Sequence, residues 1–365
     1  MRPRRFRIAF GATVLALAVA PLSVIARVDR VALADWIYTV EVAAGEHTSE
    51  GTKTTAVHAL GSVIQRVSGT RDRPLPSDLD VDRENIDRYF TRTSFVSRPD
   101  ASAPDEIERY MSIELDPSAI VELVRKSSLP VWSAKRPVVV LWLVVEGEAG
   151  PVRLADKRID EVLWLAVTRR ARERGLPLVV PLGDVEDRSL RVPELARAGL
   201  WIPILEATQR HSGHAVAVAR FSETAEAPCL ATGTFLYAEI HVPFKLTESS
   251  LQRCGNRLVD SLANALAERQ AVESRQTASV DLEVSGVGTA LAFSNLISYL
   301  RQWEFVDRAE VLRVQGDVFV IRVATAAPPR KLERLLGSEG LLRPTTAALT
   351  ADHEYLLHMH WLGDR

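Results

Sequence analysis

Three carboxylates stand close together at Asp184, Glu186 and Asp187, directly after the apolar run Leu176 to Leu182. The carboxyl end of a parallel strand is where open α/β sheets bind ligands. Hard oxygen donors at that place suit a divalent cation. The competing reading is a solvated loop in which Asp187 pairs with Arg188 or Arg191, and the residue types favour it. His358 and His360 are two apart, so on a strand they share a face and could reach one metal. His353, Asp352 and Glu354 lie near them in the sequence. Two histidines on an exposed strand face explain the spacing as well. His211 and His214 flank a helix end, where an imidazolium is stabilised by the helix dipole.

Other chemistries find no support in the spacing. Gly286-Val287-Gly288 lies between a strand and a helix, but Leu291 stands where a dinucleotide fingerprint needs its third glycine. No Walker loop, H-E-x-x-H, G-x-S-x-G or C-x-x-C is present, so nothing nominates a nucleophile, a metal or a cofactor. The chain has two cysteines, Cys229 and Cys254. In an oxidising compartment they could pair; otherwise they read as two buried thiols. Four tryptophans, at 132, 142, 164 and 201, fall in the middle of the chain. They are expected as core anchors. Trp132, in a turn, is the one candidate for an exposed binding surface.

The compartment follows from the first 34 residues. Met1 to Arg7 holds four arginines and no acid, and Ile8 to Ala26 is uncharged and interrupted by Pro21. Val31-Ala32-Leu33-Ala34 then precedes Asp35, with alanine at both small-residue positions of a signal-peptidase site. This reads as a secretory signal peptide. Cleavage after Ala26, or retention of residues 8–26 as a membrane anchor, are the alternatives. Residues 1–34 carry six arginines and one aspartate, so their removal takes the net charge from −2 to −7. A mildly acidic exported protein has no electrostatic footprint for nucleic acid or anionic lipid.

The elements that must position these residues fall into three groups. Residues 35–128 read as a small α+β domain of order βα(α)ββα. Residues 129–269 read as a parallel-sheet α/β domain. Its centre is Val138 to Val145, eight unbroken apolar residues that imply a strand buried on both faces. Its companions are strands at 176–182 and 215–221, helices at 158–174 and 195–210, and a hairpin at 229–244. The 158–174 helix is expected to turn Ile159, Val162, Leu163 and Ala166 inward. Thr247 is expected to cap a long helix that follows. Residues 277–361 read as βαββαβ, a ferredoxin-like plait ending in a strand over 344–361 with a break near Asp352. Leu129-Pro130-Val131-Trp132 joins the first domain to the second.

Leu129-Pro130-Val131-Trp132, Arg136-Pro137 with Trp142, and Gly175-Leu176-Pro177-Leu178 through Asp184, Glu186 and Asp187 resemble a proteobacterial family of exported proteins. That family is catalogued as domain of unknown function number two-thousand-and-sixty-six. Ala56, Val63, Arg66, Val67 and Gly69 resemble its first helix, and the likeness spans roughly 36–340. The resemblance implies an envelope location and a multi-domain α/β build, and no reaction. The expected protein is therefore a periplasmic, non-enzymatic interaction or assembly factor whose partner is another envelope protein. A ligand- or cation-binding protein, or a hydrolase, using the acidic loop is the alternative.

Overall fold

The computed structural model describes residues 36–43, 49–74, 76–81, 84–99, 107–146, 152–211, 213–222, 229–238, 240–273, 277–345 and 356–363. Residues 8–26, His353, Asp352 and Glu354 lie outside them. Three sheets occupy three consecutive stretches of chain. The first is antiparallel and joins β1 (Thr39–Ala43), β3 (Ile107–Leu115) and β2 (Phe90–Pro99) in that order. Helix α1 (Ser49–Ser68) buries Leu60, Val63, Ile64 and Val67 against it. Helix α2 (Pro117–Lys126) adds Ile120, Leu123 and Val124. Asp116 caps α2 by accepting from Ala119 N at 2.9 Å, with proline at the first position, as the sequence suggests. The bracketed second helix of the expected βα(α)ββα order is one 3₁₀ turn, Ile86–Tyr89, and Phe90 already starts β2.

The central sheet has the order β5 (Arg153–Leu154), β4 (Val139–Glu146), β7 (Ala215–Ser222), β8 (Cys229–Tyr237), β9 (Ile240–Glu248). Strand β6 (Leu178–Val179) lies beside the start of β4. The pairings β4–β6 and β4–β7 are parallel, so the apolar run is the middle strand of its parallel group. Val139, Leu141 and Leu143 face one core, shared with α3 (Glu161–Arg174) and α7 (Leu251–Gln270). Val140, Trp142 and Val144 face the other, under α5 (Val192–Ala198) and α6 (Trp201–Thr208). Each of these side chains contributes roughly 1.5–3 kcal/mol by leaving water, which is why the run tolerates no polar alternation.

Four local expectations are corrected. Pro177 and Pro181 flank β6 and cannot donate to a ladder, so the 176–182 strand shrinks to two residues. The 195–210 helix is two helices, because Gly199 adopts φ +69° and ends α5. Of its apolar residues Ile204 is buried, while Leu205 is exposed and Trp201 half-buried. Helix α3 meets the expectation in part: Leu163 and Ala166 are buried, joined by Trp164, Val167 and Ala171, whereas Val162, and Ile159 in the turn before the helix, face out. The α3 inner stripe must meet α7, where Gly255 lets the helices approach: a Cβ there would sit 3.1 Å from Ala166 Cβ. Finally, β9 runs through Thr247, and Ser250 is the residue that caps α7.

The third sheet has the order β11 (Val306–Gln315), β12 (Val318–Thr325), β10 (Ala278–Ser285), β14 (Leu356–Trp361), β13 (Leu342–Pro344). Helices α8 (Ala290–Arg301) and α9 (Pro329–Gly337) supply Leu296, Leu300, Leu332 and Leu336 to the core on one face. The βαββαβ order is present, and the last element, expected to break near Asp352, is two described strands, β13 and β14. β14 runs parallel to β10 and antiparallel to β13, taking the place beside β10 and leaving β13 at the edge.

Residues 131–136 tie the three sheets together. Val131 exchanges both backbone hydrogen bonds with Val272, at 2.7 and 2.8 Å, and Trp132 N donates to Val67 O. Ser133 Oγ and Ala134 N donate to the Glu304 carboxylate at 2.5 and 2.8 Å. Lys135 reaches Glu339 at 2.9 Å and lies over the Tyr299 and Trp303 rings. The buried Arg136 guanidinium donates to the carbonyls of Ser133, Gly175, Arg66 and Trp132 and stacks 3.8 Å from the Trp132 ring centroid. Burial pushes Arg136 down to about 9, so it stays charged at neutral pH.

Candidate functional site

The acidic cluster is built around a cation of the chain itself. After β6, Gly183 takes φ +68° and turns the chain into α4 (Val185–Ser189). Asp184 caps that helix by accepting from Asp187 N at 2.8 Å. This points Asp187 inward, where it is only 1% exposed. A buried carboxylate needs full hydrogen bonding and a counter-charge. Asp187 Oδ2 accepts from Gly183 N at 3.2 Å. Its Oδ1 accepts from Arg210 at 2.6 Å and lies 3.0 Å from His211 Nε2. Arg210 also donates to both oxygens of Asp184, at 3.2 and 3.0 Å, and reaches Glu186 at 3.0 Å. The Arg210 hydrogen bond and the Asp187 backbone N–H hold the Asp184 carboxyl down to about 2.

Arg210 and His211 sit at the end of α6, so the cluster fastens the loop after β6 to the helix layer. The His211 ring meets Trp142 edge-on at 5.5 Å between centroids. Trp142 Nε1 donates to Thr208 Oγ1 at 3.0 Å, and Thr208 Oγ1 donates to Ile204 O at 2.7 Å. The chain of contacts runs from the surface carboxylates through His211 to the central strand. All three carboxylates are found together, as the spacing suggests, but the partner of Asp187 is Arg210 with His211, not Arg188 or Arg191. A cation placed here would have to displace Arg210. An aspartate that orients an imidazole is half of an acid–base device. Among the described residues no hydroxyl or thiol is hydrogen-bonded to His211, and no three His, Cys, Asp or Glu side chains are grouped to hold a metal.

The other candidates separate. Trp132 is 1% exposed, and its Nε1 donates to Gln270 Oε1 at 3.0 Å. It is a core anchor of the junction, 3.8 Å beneath Arg136, and no binding surface. Trp142 and Trp164 are buried as well. His358 and His360 do share a face of β14, opposite the buried Met359 and Trp361. His358 Nδ1 lies 3.0 Å from Glu283 and His360 Nδ1 lies 2.9 Å from Ser285 Oγ, both across the parallel ladder to β10. His214 Nδ1 accepts from Val138 N at 3.3 Å. Gly286 adopts φ +82°, where a Cβ would approach His360 Cε1 to 2.7 Å, so this glycine serves a tight turn. Cys229 and Cys254 are both fully buried.

Sequence reasoning missed Arg210, Gln270 and Glu304. Each lies far along the chain from its partner, and a lone Arg, Gln or Glu has no local signature. The one usable signal was that three clustered carboxylates favour a nearby cation, which pointed to the adjacent Arg188 and Arg191 and not to Arg210.

Among known protein families, a model described as a domain of unknown function (DUF8605) matches residues 32–133. The match covers the first sheet, its two helices and the start of the junction. No curated protein matches the chain.

Proposed function

We propose that this chain is an exported protein of the cell envelope that acts without catalysis, as an interaction or assembly factor. The observation that carries the reading is the outer surface of the central domain. Val162 and Leu165, three residues apart on α3, are 56% and 54% exposed, and Ile159, in the turn before that helix, is 74% exposed. Leu182, Val185, Leu200 and Ile202 are also more than half exposed in the same domain. Single exposed apolar residues are ordinary, but several close together on one surface mark a contact site. The charged cluster, by contrast, is built around Arg210, which pairs with all three of its carboxylates. The amino-terminal segment supports export. The resemblance to domain of unknown function number two-thousand-and-sixty-six supports an envelope setting. Among the described residues no helix is long and apolar enough to cross a membrane.

The test has two arms. Amino-terminal sequencing of the chain recovered from fractionated cells should begin at Asp35, in the periplasmic fraction. A photo-crosslinker at Ile159 should give one reproducible adduct that Val162→Asp and Leu165→Asp abolish without lowering the unfolding midpoint. Retention in the cytoplasm, or an adduct indifferent to both substitutions, would refute the reading.

A further inference from the structure

We propose that Cys229 and Cys254 form a disulfide that staples the first residue of β8 to the second turn of α7. Cys229 opens β8 opposite Glu248, the last residue of β9. The hairpin thus brings the chain back to where it began. Two residues later Ser250 caps α7, and Cys254 N bonds back to Ser250 O at 3.0 Å. This geometry sets Cys254 over the start of β8. Both side chains are fully buried in one core, with Ala231, Leu258 and Phe221 among its members. The Cys254 thiol is in hydrogen-bonding contact with Cys229 and with the main chain at Ala231.

Three further points favour pairing. The chain has no other cysteine, so one intramolecular connectivity exists. The Cys229 contact lowers the Cys254 thiol below its ordinary value against the opposing effect of burial, so the fold sets the two sulfur groups against each other. Closing the sulfurs to about 2.05 Å needs side-chain rotation at two positions already in contact. The chemistry is a thiol–disulfide exchange with an external disulfide as oxidant. The Cys254 thiolate attacks that disulfide and forms a mixed disulfide, expelling one thiolate. The Cys229 thiolate then displaces the second, leaving the internal bond. Two thiols lose two electrons and two protons, and the oxidant becomes two thiols. Because the folded pair is shielded, oxidation occurs before α7 closes on β8, and the same shielding then protects the bond.

The envelope reading supplies the oxidising surroundings, but the pairing is a property of the fold and is tested apart from it. The full chain, unfolded and reduced, is refolded in oxidised and reduced glutathione, quenched with acid, unfolded again and alkylated. The expected result is loss of both alkylation sites together, in a monomer lighter than the reduced chain by two hydrogens. Cys254→Ala, a small change of volume, should leave Cys229 as one alkylatable thiol or as a glutathione adduct that reductant releases. Two alkylatable thiols in natively refolded wild-type chain would overturn the assignment, as would a covalent dimer; if the variant does not fold, the wild-type readout decides. Free thiols in this assay would leave export untouched, and cytoplasmic retention would leave the pairing untouched.

Discussion

Replacing Arg136 by methionine should loosen the junction of all three sheets. Methionine keeps much of the aliphatic volume and removes the guanidinium. Four carbonyls then lose their donor: Ser133 and Trp132 at 2.8 Å, Gly175 and Arg66 at 2.6 Å. A buried acceptor left unmatched costs about 1–3 kcal/mol. The sum overstates the loss, because removing the charge also removes its own desolvation cost, and Arg136 is buried with no carboxylate hydrogen-bonded to it. The net expectation is a loss of about 3–5 kcal/mol. Arg136→Lys should lose less, about 2–3 kcal/mol, since three ammonium donors on one atom cannot reach four carbonyls spread around a planar fork. The assay is urea unfolding followed by tryptophan fluorescence, with Trp132 stacked on the substituted residue as the local reporter. Limited proteolysis accompanies it, because three sheets need not melt as one transition. A midpoint for Arg136→Met equal to that of Arg136→Lys would refute the hydrogen-bond argument and leave packing alone as the role of this residue.

Three other outcomes are expected. Asp187→Ala removes the buried acceptor of Arg210, His211 and Gly183 N and should cost about 2–3 kcal/mol, the low end because Arg210 can turn toward water; urea titration checks it, and a change under about 0.5 kcal/mol would remove the cluster's structural role. The Asp184 carboxyl is held down to about 2 from an ordinary 3.8, so what its charge contributes is complete above about pH 4 and is lost as pH falls toward about 2. The midpoint difference between wild type and Asp184→Asn should accordingly narrow over that range, and a difference independent of pH would contradict the pairing. Gly233→Ala would place a Cβ 1.9 Å from Val218 O and 2.8 Å from Phe244 Cζ, so β8 must move away from β7. A thermal shift of the central sheet corresponding to at least about 1–3 kcal/mol is expected; a neutral alanine would mean that the two strands are not in this register.

The sequence determined the parts whose causes are local. Eight apolar residues without alternation can only be a strand covered on both sides, and Val139 to Val144 are buried on both faces of the central sheet. Asp116-Pro117 capped a helix, Ser68-Gly69 ended one, and Gln315-Gly316-Asp317 turned a hairpin. Tertiary structure decided what depends on neighbours distant in the chain. Which stripe of α3 is inner was set by α7, and apolar residues outside that stripe were left for the surface. The same holds for the acidic loop: its capping geometry was local, but the cation that bridges its carboxylates comes from the turn that follows α6. The final strand belonged beside β10 only because pairing there satisfies both backbones and buries Met359 and Trp361. Local propensity is written in adjacent residues, whereas charge pairing and burial are properties of whichever surfaces the folded chain brings together.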